Sequence, residues 1–345
     1  MNQLPAYDLE QVRQDFPIHR TTIYLNHASI SPVPEPVQRM MQIAIERLGT
    51  NPLAFYSPSE ADPVSNIMSR FAKAIAGLIN AARLDEITGI SNTSAGLNAV
   101  GQAIDWRPGD NIVFAGVEFP SNAYPWMVLE RFGVECRIVP PPYPGATVEA
   151  FEPLVDHRTR LIAASAVQYL TGHRADLMTL GAFCRQRDIL FAVDAIQAAG
   201  HMPIDVQAMQ IDILASGGQK SLMSAPGQGF LYVRDGVCRH LKPGIIGPAS
   251  VQNWEHWAKY DLTPIHGAQR LMMGTPNVIG MAALIESIRY LQSLGLAAID
   301  AWTRHLSQIA IEDLSAGGFT VITPEDDLGP IVTFRVGDPD NIEAA

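Results

Sequence analysis

The sequence predicts an α/β fold with a mostly parallel central sheet, helices on both faces of that sheet, and a smaller α+β domain towards the C-terminal end. Short apolar segments alternate with segments of helical periodicity over most of the 345 residues. Such alternation is typical of right-handed β-α-β crossovers, which place parallel strands side by side. The alternation stops near residue 277, where two long helical segments follow one another.

Six apolar runs are predicted to be strands of the sheet, and a further short strand is predicted just before residue 92. The six runs are 111–115, 135–139, 160–166, 189–193, 211–215 and 229–234. Apolar residues at helical spacing predict helices over 35–48, directly after Pro34, and over 62–80. In sheets of this kind ligands bind beyond the carboxyl ends of the strands, so candidate site residues are sought there.

Three segments are expected along the chain. Residues 1–22 form an N-terminal segment that packs with the small domain, 23–276 form the large domain, and 277–345 form the small domain. The small domain contains the two long helices (277–294 and 296–315) and two isolated strands at 319–322 and 331–336. Because the chain ends at "GDPDNIEAA", where a helix is predicted to begin, the small domain is expected to be incomplete.

Composition excludes several function classes. The net charge of −11 argues against nucleic acid as the main partner, because backbone phosphates require a basic face. No apolar run approaches the roughly 20 residues that cross a membrane, and the N-terminus does not resemble a secretory signal. The three cysteines are far apart, which fits a reduced protein without structural zinc and predicts a cytoplasmic location without a metal site.

A single lysine, Lys220, lies in the glycine- and serine-rich stretch "ASGGQKSLMSAPGQGFLYV" (215–233), between two predicted strands. A structural lysine would reach solvent, yet this one has few charged neighbours in sequence. A catalytic amine is the other interpretation. Partial burial lowers the pKa of an amine and favours the neutral, nucleophilic form.

Two more strand ends carry polar candidates. Asp194 closes a strand in "ILFAVDAIQ", either as a turn-capping residue or as a carboxylate aimed at a ligand cation. The turn 92–96 precedes a helix and suits a phosphate, since a helix N-terminus offers unpaired N–H donors. A plain N-cap at Thr93 or Ser94 fits that turn equally well.

Phe119 follows the strand 111–115 and is either a core residue or a platform for a ligand ring. Pyridoxal phosphate accounts for all four strand ends. It has an aldehyde for Lys220, a pyridinium nitrogen for Asp194, a phosphate for the 93–95 turn and a ring face for Phe119. The sequence therefore predicts this cofactor.

The sequence resembles the class V aminotransferase family of fold-type I pyridoxal-phosphate enzymes. That family includes cysteine desulfurases, selenocysteine lyases, isopenicillin N epimerase-like proteins and kynureninases. The resemblance covers nearly the whole chain and implies the fold-type I transferase architecture. It is carried by "YLNHASISPVPEPV" (24–37), "NTSAGLNAV", "EFPSNAYPW", "VQYLTGHRADL", "VDAIQAAGHMPIDV", "KSLMSAPGQGFLYV" and "GTPNVIG" (274–280).

The resemblance implies a role for each matching residue. Lys220 matches the lysine that bonds covalently to the cofactor, Asp194 the partner of the pyridine nitrogen, and Gln197 the residue that bonds the ring hydroxyl. Thr275 matches a residue that reaches the phosphate of the neighbouring subunit, which implies a homodimer. The other matches are Thr93, Ser94 and Ala95 in the phosphate turn, Phe119 in the ring-stacking place, and His27 and Ala28 at the substrate carboxylate.

Departures from the family pattern occur near the lysine and on the rim. Gln219 stands where a phosphate-binding histidine is frequent, and Gly217 where serine is common, although the adjacent Ser216 could substitute. Tyr169 replaces an asparagine of the desulfurases and, with Phe119, favours the kynureninase-like branch. The part of the family that carries an arginine for the substrate carboxylate and the desulfurase cysteine falls beyond Ala345.

The expected function is therefore a pyridoxal-phosphate enzyme for a small amino acid or amine, of aminotransferase or C–S lyase type. Three alternatives stay open: an isopenicillin N epimerase-like enzyme, a kynureninase-like enzyme, and a catalytically silent protein with this fold. A nicotinamide-dependent enzyme is disfavoured, because "GQGFLYV" leads into a strand rather than a helix.

None of the three cysteines matches the cysteine of the desulfurases. Cys184 is expected to be half-buried on a helix, Cys136 to begin a strand, and Cys238 to be more exposed than the others. We expect none of them to carry a persulfide, so that any sulfur leaves by direct elimination.

Overall fold

The computed structural model describes residues 7–59, 61–141, 143–256 and 258–336. Among these residues, seven strands form a central sheet and two form a small separate sheet. The strands are β1 (Ile87–Ile90), β2 (Asn111–Ala115), β3 (Glu135–Val139), β4 (Thr159–Ser165), β5 (Leu190–Asp194), β6 (Ile213–Gly217), β7 (Gly229–Val233), β8 (Thr320–Val321) and β9 (Phe334–Arg335).

The order of strands in the central sheet is β1-β7-β6-β5-β4-β2-β3. Every neighbouring pair from β6 to β3 is parallel, and only β7 runs antiparallel to its neighbours β1 and β6. The predicted α/β fold with a mostly parallel sheet is confirmed.

The helices lie on both faces of the sheet. They are α1 (Leu9–Gln14), α2 (Glu35–Thr50), α3 (Ile67–Ile79), α4 (Thr93–Ala103), α5 (Tyr124–Met127), α6 (Val148–Phe151), α7 (Leu177–Gln186), α8 (Asp235–Cys238), α9 (Val278–Leu294) and α10 (Leu296–Ala316). No helix of the described residues is both long and apolar enough to cross a bilayer.

Alternate side chains of each central strand enter different apolar cores. In β2, Val113 and Ala115 join the core beneath α3, α7 and α9, whereas Ile112 and Phe114 join the core beneath α4 and α5. Successive side chains of a strand point to opposite faces, and a parallel sheet is stable only when both faces are covered. This double covering leaves the strand ends as the accessible edge of the sheet.

Helix α3 begins later than its periodicity predicts. The predicted helix over 62–80 includes Val64, yet the helix starts at Ile67, because Asn66 has the left-handed backbone angle φ of 47°. Asp62 holds the preceding turn by accepting a hydrogen bond from the amide of Val64 (3.2 Å) and pairing with Arg47 (2.9 Å).

Both ends of the chain contribute to one helical layer. Helix α9 packs against α2 and α3, and the Tyr290 hydroxyl of α9 donates to the Asp15 carboxylate at 2.9 Å. The Phe16 ring also meets the Tyr290 ring edge-on at 6.3 Å. The division into domains stays a prediction, and residues 1–6 and 337–345 of its outer segments lie outside the described residues.

Candidate active site

The topology brings the ends of three neighbouring strands together, two of which carry predicted site residues. In the sheet register Ser165 at the end of β4 lies opposite Asp194 of β5, and Asp194 lies opposite Ala215 of β6. The turn that carries Lys220 is tied to the turn after Asp194, because the amide and the hydroxyl of Ser221 both donate to the Ile196 carbonyl (3.3 and 2.8 Å). Lys220 and Asp194 therefore lie at the same edge of the sheet, where β5 and β6 end.

Asp194 and Lys220 shape each other's charge state. Asp194 is only 3% exposed, and burial raises the pKa of its carboxyl to about 6, although the Ile196 amide (2.9 Å) and the Lys220 charge counteract this. Burial lowers the pKa of the Lys220 amine, and the Asp194 charge opposes that change. Partial burial moves the amine towards the neutral form that a nucleophile or a general base requires.

The Phe119 ring, which packs against Tyr169, lies next to Lys220. The Lys220 ammonium nitrogen lies 5.1 Å from the centroid of the Phe119 ring. That ring meets the Tyr169 ring edge-on, at 5.0 Å between centroids and an interplanar angle of 83°. Phe119 is 39% exposed, so one face of its ring is available to a planar ligand.

The predicted phosphate turn opens α4 and is fastened to the lysine loop. Asn92 caps the helix by accepting a hydrogen bond from the Ala95 amide at 2.9 Å. The Thr93 hydroxyl accepts from the Gly217 amide at 3.0 Å and so keeps its own proton for a ligand. The Ser94 hydroxyl is 2.7 Å from the hydroxyl of Ser121.

The chain segment 24–31 is hydrogen-bonded to the turns after β5 and β6. The Gln197 side-chain amide donates to the Ala28 carbonyl (2.8 Å), and the Ser31 amide donates to the Gln219 carbonyl (2.8 Å). His27 belongs to the same segment, and burial lowers the pKa of its imidazole. The predicted substrate residues His27 and Ala28 therefore lie in the segment that is hydrogen-bonded to Gln197 and Gln219.

The departures at 217 and 219 belong together. A Cβ atom at Gly217 would come within 2.5 Å of the Gln219 amide oxygen, so the glycine leaves room for the longer glutamine side chain. Ser216 is fully buried and its hydroxyl donates to the Gly217 carbonyl at 3.1 Å. A protein partner thus already occupies the hydroxyl that was predicted to bind the cofactor.

Thr275 and Lys220 do not line the same cavity among those described. Thr275 lines a cavity of about 200 Å³ together with Ser91 and Ala95, directly beside the phosphate turn. A larger cleft, of about 1000 Å³, lies between residues 174–178, α10 and residues 325–328, and it contains none of the predicted site residues.

Sequence reasoning missed three polar groups near the site. Glu118 is buried directly before Phe119, and burial raises the pKa of its carboxyl to about 7. His201 has a buried Nδ1 without a hydrogen-bond partner, and burial lowers its pKa to about 4. Neither the nitrogen nor the oxygen of the buried Gln168 side chain has a hydrogen-bond partner. The adjacency of Glu118 to Phe119, and of Gln168 to Tyr169, was the only signal in the sequence.

A family model matches most of the chain. The model described as Aminotransferase class-V aligns with residues 23–344. Among curated proteins, a probable cysteine desulfurase of Methanothermobacter thermautotrophicus is 32% identical over 84% of this chain and 72% of its own length. A cysteine desulfurase of Salmonella dublin is 31% identical over 96% of this chain and 84% of its own length.

Three solved structures superpose on most of the chain. A cysteine desulfurase of Thermococcus onnurineus superposes with a TM-score of 0.85 at 25% identity, covering 98% of this chain and 84% of that one. The cysteine desulfurase CsdA of Escherichia coli gives 0.83 at 25% identity, with 96% and 83% covered. C-DES with glycine covalently linked to its PLP cofactor shares the fold at 21% identity and a TM-score of 0.85, over 95% of this chain and 86% of that one.

Proposed function

Because the chain belongs to the class V aminotransferase family, whose members are pyridoxal-phosphate enzymes, we propose that it cleaves the C–S bond of cysteine or a closely related amino acid by direct elimination. The family establishes the cofactor and an enzyme of aminotransferase or C–S lyase type. The choice of cysteine is supported by the two curated relatives, which are both named as cysteine desulfurases.

The residues present fit pyridoxal phosphate. The half-buried amine of Lys220, the carboxylate of Asp194, the free hydroxyl proton of Thr93 and the open ring face of Phe119 are the four groups that the cofactor needs. When bound, the cofactor supplies an aldehyde for the substrate amine and a ring that accepts an electron pair from the substrate.

The roles of the protein residues follow from their surroundings. Asp194 presents a buried negative charge that holds a proton on the pyridine nitrogen. The Lys220 amine, with its lowered pKa, takes the proton from the substrate Cα as a general base. Gln197 and the segment 24–31 cover the site and exclude water from the reacting atoms.

The burial of the three thiols is the observation that argues against persulfide transfer to any of them. Cys184 and Cys238 are each 1% exposed, and Cys136 is partly buried. Burial raises the thiol pKa to about 12 in Cys184 and to about 11 in Cys136 and Cys238. A thiol that attacks the substrate sulfur must be accessible and ionised, and none of these three is.

The expectation that Cys238 is the more exposed thiol is wrong. The short helix α8 turns Cys238 into the core together with Val237 and Leu241. Its neighbours Arg239 and His240 remain exposed, so the charged sequence around the cysteine misleads. Because Cys238 is buried, it is a poor candidate to carry a persulfide.

We expect no persulfide on any of the three cysteines. The protein is incubated with cysteine, and its thiols are then mapped by mass spectrometry of alkylated peptides. A matched control, Cys136→Ala, removes the one partly accessible thiol and should keep normal turnover. A persulfide on Cys136, Cys184 or Cys238 that forms only with substrate would refute direct elimination.

A kynureninase-like enzyme is the second candidate, and it is favoured by one observation. The edge-on pair of Phe119 and Tyr169 forms an aromatic rim that suits an aromatic substrate. Consumption of kynurenine by the purified protein, without consumption of cysteine, would favour this candidate.

A homodimer is further supported by exposed apolar side chains, of which Ile23 is 90% exposed and Tyr260 is 99% exposed in the single chain. If Thr275 reaches the phosphate in the neighbouring subunit, cofactor affinity should fall when the dimer dissociates on dilution. Sedimentation, with detection at the wavelength at which the cofactor absorbs, measures the fraction of dimer and the amount of bound cofactor in one experiment. Monomers that hold the cofactor as tightly as dimers would contradict this role of Thr275.

A further inference from the structure

We propose that Glu118 is a positioning residue, which holds the ring of Phe119 over the cofactor by fastening the turn after β2 to the end of β4. The inference goes beyond the proposed function. It depends on the cofactor of the family and not on which substrate bond is cleaved.

The Glu118 carboxylate is a hydrogen-bonded anchor inside the protein. It accepts hydrogen bonds from the Ser165 amide (2.9 Å), from the Ser165 hydroxyl, and from the Asn122 side-chain amide (3.1 Å). Ser165 ends β4, whereas Glu118 and Asn122 flank Phe119 in the turn after β2. One side chain therefore joins this turn to a neighbouring strand.

The anchor is connected to the strand that carries Asp194. Ser165 lies opposite Asp194 in the β4–β5 register, and the next residue, Ala166, donates its amide proton to the Asp194 carbonyl at 2.9 Å. Glu118 thus sets the position of the stacking residue relative to the residue that binds the ring nitrogen. Because the cofactor ring is planar, Phe119 and Asp194 must be held where both can contact it at the same time.

The Phe119 ring is partly exposed, so its position depends on how its backbone turn is held. The side chain is 39% exposed, and the ring contacts that the structure gives it are the edge-on Tyr169 ring and the Lys220 ammonium. Its backbone carbonyl accepts from the Asn122 amide at 2.8 Å. Asn122 is in turn fixed by the buried Trp126, whose indole N–H donates to the Asn122 side-chain oxygen at 3.1 Å.

A carboxylate is more destabilising to bury than a neutral side chain in a purely structural role. Burial disfavours its charged form, and a buried charge is destabilising unless it is fully hydrogen-bonded. Glutamine would lose one acceptor oxygen, and its NH₂ group would face the NH₂ group of Asn122. The three donors around Glu118 therefore require a carboxylate rather than an amide.

The test measures cofactor binding without substrate, so it remains valid even if cysteine is not turned over. Glu118→Gln should weaken pyridoxal phosphate binding roughly three- to tenfold, the scale of one aromatic contact, and should lower the visible circular dichroism of the bound cofactor. The matched control Glu130→Gln makes the same chemical change at an exposed position and should alter neither quantity.

A double-mutant cycle separates positioning from a general structural role. In a Phe119→Ala background, Glu118→Gln should have no further effect on cofactor affinity, because its target ring is absent. An equal loss in both backgrounds, or no loss in either, would overturn the proposal. If Glu118→Gln does not fold, Ser165→Ala removes one of the three donors and takes its place in the same cycle, with the same outcomes deciding.

Discussion

Replacing Lys220 with alanine is expected to abolish the covalent capture of pyridoxal phosphate and to lower turnover by about 10²- to 10⁴-fold or more. Burial lowers the pKa of the Lys220 amine, as the proposed nucleophile requires, and its nitrogen lies 5.1 Å from the centroid of the Phe119 ring. Borohydride reduction of the holoenzyme, followed by peptide mass spectrometry, should place the reduced cofactor on the peptide that contains Lys220.

Two further variants sharpen this prediction. Lys220→Arg keeps a positive charge but cannot supply a neutral amine, so it should also fail to capture cofactor. Lys242→Ala removes an exposed lysine that pairs with Asp105 at 2.7 Å and should behave like the original protein. Reduced cofactor on a different lysine in the Lys220→Ala protein would show that Lys220 is not the cofactor lysine.

Replacing Asp194 with asparagine is expected to leave cofactor bound but to lower turnover by about 10²-fold or more. The asparagine oxygen can still accept the 2.9 Å hydrogen bond from the Ile196 amide, so the turn keeps its shape. The substitution removes the negative charge that, as we propose, keeps the ring nitrogen protonated and the ring a strong electron acceptor. The same loss should lower the pKa of the Lys220 amine, because the Asp194 charge raises it.

The control for Asp194→Asn is the same substitution at a plain capping position. Asp176 caps α7 by accepting from the Thr179 amide at 3.0 Å, and asparagine is an equally good cap. Asp176→Asn should therefore change neither stability nor rate, as steady-state kinetics and thermal unfolding measure. A near-normal rate for Asp194→Asn would mean that Asp194 only caps its own turn.

The position of the site could be predicted from the sequence because it depends on strand ends. Apolar runs are visible in a sequence, and in a parallel sheet the residues after each run meet at one edge. The proximity of Lys220 to Asp194 and Phe119 could be predicted in this way, whereas their catalytic roles stay predictions. The family resemblance implies that His27 and Ala28 lie at the substrate carboxylate, but nothing local to "NHAS" predicts the Gln197 contact.

The role of Glu118 could not be predicted, because it depends on the order of strands. The sequence places β2 next to β3 along the chain but does not show that β4 pairs with the other side of β2. Only that pairing brings Ser165 to the carboxylate of Glu118. An acidic residue before an aromatic one in a turn otherwise indicates an exposed side chain.

Local backbone geometry accounts for the remaining differences. The start of α3 depends on the left-handed Asn66 and the turn held by Asp62, neither of which alters the apolar periodicity. The burial of Cys238 depends on one short turn of helix, which is too short for a periodic pattern. Neither feature leaves a periodic pattern in the sequence.

The most direct test of the account is to identify the carbon product that the purified protein forms from cysteine. Direct elimination releases pyruvate, ammonia and sulfide in equal amounts, whereas transfer of the sulfur to a protein thiol leaves alanine. The account predicts pyruvate and sulfide in a one-to-one ratio, and no alanine, over many turnovers. Alanine as the main product, with sulfur held on one of the three cysteines, would contradict it.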